Sequence, residues 1–136
     1  MKDIIQLIQN VWYKEDGASN EQVRNLEESI GFPLPEDYRE FLQWSNGGEG
    51  EIGEKYVKLW SSDDIVQRNG GYMIPYYMPG FIGIGTDGGS RCYAFDFRTY
   101  AGSRTFIEVD LGGLSLDTFI VIGASFRTGI ERLLKT

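Results

Sequence analysis

The run Leu34 to Gly48, LPEDYREFLQWSNGG, constrains the fold more than any other stretch, because it holds a helix start, an apolar stripe and a helix stop. Pro35 suits a first helical turn, where its missing N–H has no partner to lose. Glu36 and Asp37 set negative charge at the positive end of the helix dipole. Tyr38, Phe41, Leu42 and Ser45 fall at i, i+3, i+4 and i+7, so this face demands a core to lie on. Asn46, Gly47 and Gly48 can take the left-handed backbone that ends a helix and turns the chain.

The rest of the chain alternates between two periods. Ile4, Ile5, Ile8, Val11 and Trp12 repeat at helical spacing and predict an amphipathic helix over residues 3–12. Ser19 with Gln22 has capping-box spacing for a helix that buries Val23, Leu26 and Ile30 and stops at Gly31. Beyond NGG, residues 54–60 alternate as a half-buried strand, and Ser62 opens a short helix, DDIVQRN. GGYMIPYYMPG reads as an irregular loop whose residues mostly pack, with one or two left for partner contact. Phe81–Gly85 and Arg91–Arg98 read as strands joined by the hairpin turn TDGGS, followed by strands at 105–111 and 119–122 and a helix capped by Ser125. Helices, then strands, then a helix is the pattern of an α+β single domain spanning 1–136, mainly an antiparallel sheet packed with α-helices.

Two of these runs, in this order, resemble the blocks of the SUKH superfamily, the Smi/Knr-like proteins: LPEDY…FL…NGG, and PGFIGIGTDGGSRCYAFDFR from Pro79 to Arg98. The resemblance covers about residues 20–134, with Gly129 standing where the family more often carries an aromatic. It implies the family's α+β fold and a non-enzymatic role. That role is either an immunity protein that neutralises a cognate toxin domain, often a nuclease, or a regulatory scaffold of the cell-wall assembly type.

Composition prunes the chemistry. There is no histidine and one cysteine, Cys92, which excludes Ser-His and Cys-His dyads, an HExxH zinc site and an intrachain disulfide. No cofactor or metal ligand set is expected. Gly83, Gly85 and Gly88 spell GxGxxG, but an alternating strand follows where a dinucleotide site needs a helix N-terminus. Asp87, Asp96, Glu108 and Asp110 suggest a carboxylate pair for hydrolysis only if the fold makes them converge; Asp87 is otherwise a turn residue and Asp96 a strand-end acceptor. Polar residues interrupt the N-terminal apolar run, so neither a signal peptide nor a membrane span is expected, and the cytoplasm is the expected compartment.

The net charge of −7 is uneven: residues 1–64 hold 14 acidic and 6 basic side chains, and residues 65–136 hold 6 and 7. Such a first half repels nucleic-acid phosphates and steers a basic partner, though it also serves plain solubility. Glu49, Glu51, Glu54, Asp63 and Asp64, beside the aromatics Tyr56 and Trp60, form the candidate partner-binding patch, with a core role as the other reading of Trp60. The expected partner is a basic toxin domain, and no sequence feature assigns an oligomeric state.

Overall fold

In the computed structural model, which describes residues 1–99 and 104–136, the predicted stripe lies at the centre of the core. Tyr38, Phe41, Leu42 and Ser45 are all buried. The elements are α1 (Lys2–Ile8), β1 (Trp12–Tyr13), α2 (Asn20–Ile30), α3 (Glu36–Trp44), β2 (Gly48–Ile52), β3 (Lys55–Leu59), α4 (Ser62–Gly71), α5 (Ile74–Tyr77), β4 (Phe81–Thr86), β5 (Arg91–Asp96), β6 (Thr105–Asp110), β7 (Ile120–Gly123) and α6 (Phe126–Leu134). Among the described residues the strands form one antiparallel sheet in chain order, so each strand lies beside its sequence neighbours. The α+β class read from the sequence holds.

Both faces of the sheet are covered at the β4–β6 end. On one face Tyr38 of α3 meets Phe95 at 5.1 Å and Phe126 of α6 at 5.4 Å, and Phe126 reaches Phe106 at 5.4 Å. Edge-to-face pairs of this kind add about 0.5–1.5 kcal/mol each beyond the area they bury. On the other face Asn69 of α4 and Ile74 of α5 lie against Gly83, beside Cys92. The Asn69 amide donates to the Gly83 carbonyl at 2.8 Å and accepts from the Gly83 N–H at 2.7 Å, pinning α4 to β4 beside the irregularity at Gly83/Gly85. The Cys92 thiol is buried, and burial pushes its pKa up to about 12.

Several local expectations hold. Ser19 and Gln22 close the capping box of α2, Gly31 ends it with φ of 80°, and the Ser125 hydroxyl accepts from the Thr128 N–H at α6. Pro35 stands just before α3, with ψ of 141°, rather than inside its first turn. At Gly129 a Cβ would lie 2.4 Å from the Phe106 ring, so here the sheet's own aromatic fills the space.

Three further expectations are corrected. The helix expected over 3–12 ends at Ile8, and Trp12 and Tyr13 pair with Gly50 and Glu49 of β2. The Trp12 indole N–H donates to Ser45 Oγ and to the Gly47 carbonyl, both at 3.3 Å, and this tertiary anchor overrides the helical period. The single strand expected at 54–60 is the second arm of a hairpin, β2–β3. Finally, the GGYMIPYYMPG run extends α4 to Gly71 and adds the short helix α5, started by Met73 at φ 59°. Ile74 and Met78 are buried there, but Tyr72, Met73, Tyr76 and Tyr77 are exposed, the reverse of the expected balance.

Candidate functional site

The SNGG turn after α3 organises one side of an open cleft. Ser45 Oγ donates to the Gly47 carbonyl at 2.7 Å and accepts the Glu15 N–H at 3.1 Å. The Asn46 N–H donates to the Asp16 carbonyl at 3.0 Å, while its side-chain oxygen accepts the Ser62 N–H at 2.7 Å. One turn therefore fixes the Glu15–Asp16 segment and caps the start of α4. Gly47 and Gly48 hold φ of 88° and 108°, and a Cβ at Gly48 would stand 2.5 Å from the Trp12 indole nitrogen. The sequence allows only glycine here for both reasons.

Register explains where the acids go. Glu49 pairs with Lys58, Lys58 with Thr86 and Thr86 with Cys92, so all four lie on one face of the sheet. At β4 that face is covered by α4 and α5; at β2–β3 it is open. The step between them is a cleft of about 370 Å³ lined by Glu15, Asp16, Asn46, Glu49, Lys58, Trp60, Asp64 and Arg68, among others. Four carboxylates thus face two cations. Among the described residues, none of these six charged side chains is in an ion pair.

The candidate patch is divided by the fold. Glu49, Trp60 and Asp64 line the cleft. Glu51 and Tyr56 are a directly opposed pair on the same open face. The Tyr56 hydroxyl donates to the Glu49 carboxylate, which with the neighbouring negative charge pushes the phenol up to about 12. Glu54 sits in the β2–β3 turn, where its N–H donates to Thr136 Oγ1 at 3.0 Å, and Asp63 accepts from Gln22 of α2 at 3.4 Å; neither lines the cleft. Trp60, read from sequence as an exposed aromatic, is only 6 % exposed, stacked on Tyr72 at 6.0 Å, so its alternative core reading is the right one. The indole packs there against Tyr72, at the C-terminal end of α4, and fills the wall of the cleft.

Sequence reasoning missed Glu15, Asp16, Lys58 and Arg68. Nothing local marks them, since they come from three separate elements joined only by strand pairing and the SNGG turn. The carboxylates weighed for catalysis do not converge. Asp87 Oδ1 accepts from Gly89 N and Arg91 N within its own turn, Asp110 accepts from Gly112 N, Glu108 faces Arg91 at 3.4 Å, and Asp96 binds Arg98 at the opposite end of the β4–β5 hairpin. Burial raises the Asp96 carboxyl pKa, but the hydrogen bonds from the Arg98 side chain and backbone outweigh it and leave the group below the usual carboxylate range. Gly83 and Gly85 of the GxGxxG run are strand residues pressed by Ile74 and by the Lys58 carbonyl, and Gly88 is a turn residue at φ 86°. Among the described residues no three His, Cys, Asp or Glu side chains are grouped to hold a metal, and no helix is long and apolar enough to cross a membrane.

The profile of the SMI1 / KNR4 family (SUKH-1) matches residues 17–132. No curated protein matches the chain significantly.

Proposed function

Because the chain belongs to the SMI1 / KNR4 family (SUKH-1), we propose that it is an immunity protein of a bacterial toxin system, neutralising a cognate basic toxin domain, nuclease in type, by binding it. The observation that carries this reading is the open cleft, with its four carboxylates and two cations left without ion-pair partners among the described residues. A nuclease surface that grips phosphate presents Lys and Arg, and carboxylates accept their hydrogen bonds with charge assistance. Glu49, Glu51 and Asp64, with Tyr56 beside them, are the proposed contact residues, Glu54 and Asp63 are proposed to add only long-range steering, and Trp60 supports the wall from beneath. In this mechanism no residue performs chemistry; occupation of the toxin surface is the whole effect.

The test is co-expression with the toxin domain encoded beside this chain's own gene. Survival of the producing cells and co-purification of a stable complex are the expected results. A chain that neither rescues nor binds such a domain is the outcome expected of a regulatory scaffold, and it defeats the immunity reading.

A further inference from the structure

The acidic cleft does not end at its own rim. Asp64 and Arg68 also line a second depression of about 380 Å³ that reaches Tyr72, and Tyr72 in turn borders a third with Tyr77 and the Leu111–Leu114 segment. Tyr76 and Tyr77 stand against each other at 4.9 Å between ring centres, 73 % and 50 % exposed, with Met73 beside them in sequence. Exposed tyrosines are among the side chains that anchor protein interfaces, because they bury large area at little cost in rotamer freedom. The β2–β3 face, the cleft and the α5 aromatics therefore form one continuous surface, acidic at one end and aromatic at the other.

We propose, resting on the immunity reading above, that this whole surface is the docking face for a cationic protein. One Lys or Arg of the partner enters the cleft between Glu49 and Asp64, while an apolar rim of the partner seats on Tyr72, Tyr76 and Tyr77. Charge selects this occupant over the others. A second copy brings the same acidic cleft, on a chain of net charge −7, and an anionic membrane or a nucleic acid brings phosphates, so each is repelled. The two halves divide the work: the cleft speeds encounter through long-range attraction, and the tyrosines slow dissociation by burying apolar area.

Two measurements test the face. Titrating ¹⁵N-labelled chain with a nona-arginine peptide at low salt is expected to shift the amides around Glu15, Asp16, Asn46, Glu49 and Asp64 and to change Trp60 fluorescence. Shifts that are absent there, or equal over every exposed acid including Glu28, overturn the cleft. With the toxin domain, Glu49→Lys combined with Asp64→Lys is expected to raise Kd at least tenfold, mainly by slowing association. Tyr76→Ala combined with Tyr77→Ala is expected to do the same by speeding dissociation, and Glu28→Lys to leave Kd unchanged. All of these side chains but the half-buried Glu49 are exposed, and unchanged circular dichroism and melting temperature verify that the variants fold. If the unmodified chain rescues and binds while all variants bind equally well, the docking face is wrong and the immunity reading stands; if the unmodified chain fails, the immunity reading itself falls.

Discussion

Single side chains decide how the covering helices meet the sheet. Asn69 is buried and makes three hydrogen bonds, to the Ile65 carbonyl and to both backbone groups of Gly83. Asn69→Leu leaves the Gly83 N–H and C=O buried without partners, and is expected to cost about 2–4 kcal/mol in urea denaturation. Tyr38 carries the opposite imbalance: its ring is central to the core, but its buried hydroxyl has no hydrogen-bond partner among the described residues. Tyr38→Phe keeps the ring contacts and removes an unsatisfied group, so stability is expected to rise by about 1 kcal/mol in the same assay. Asp96 gives the pH dependence. Its folded pKa is depressed, so the stability it contributes is present above the unfolded value near about 4 and is lost as pH falls through the lower folded value. The deficit of Asp96→Asn against the natural chain is expected to be constant at neutral pH and to close in acid, read as urea midpoints across pH.

At the level of elements, the best-marked segments carry their instructions locally. The α2 capping box, the α3 stripe and the TDGGS turn all form where residue type and spacing place them. The β2 strand was illegible because two of its three inward positions are glycines, Gly48 and Gly50, so no apolar alternation exists to read. Gly50 is required because a Cβ there would lie 2.2 Å from the Val11 carbonyl of the crossing chain. The start of α4 is also set from a distance, since Asn46 rather than its own cap residue bonds the Ser62 N–H. Asn46→Ala is expected to lower stability by about 1 kcal/mol, as loss of a helix cap does, and to increase amide hydrogen exchange in the first turn of α4, at Ser62 above all. Equal exchange in both proteins would mean that the cap contributes nothing to holding the cleft.

For the whole molecule the relevant quantity is the placement of charge. Association with a cationic toxin domain is expected to slow by about tenfold or more between low and physiological-plus salt, with dissociation little changed, because screening acts on encounter more than on the seated complex. A stopped-flow salt series measures this, and a flat series would contradict electrostatic steering. The sequence by itself determined the α+β class, the capped helices, the hairpin turn, the absence of histidine chemistry and an acidic first half, because each is written in neighbouring residues or in composition. Only the tertiary structure decided which acids lie together. Strand pairing put Glu49 and Lys58 on the open face, the SNGG turn brought Glu15 and Asp16 to Asp64, and α4 buried Trp60 while α5 exposed Tyr76 and Tyr77. Those outcomes depend on register and on helix position across long sequence separations, and hydrophobic periodicity carries no information about either.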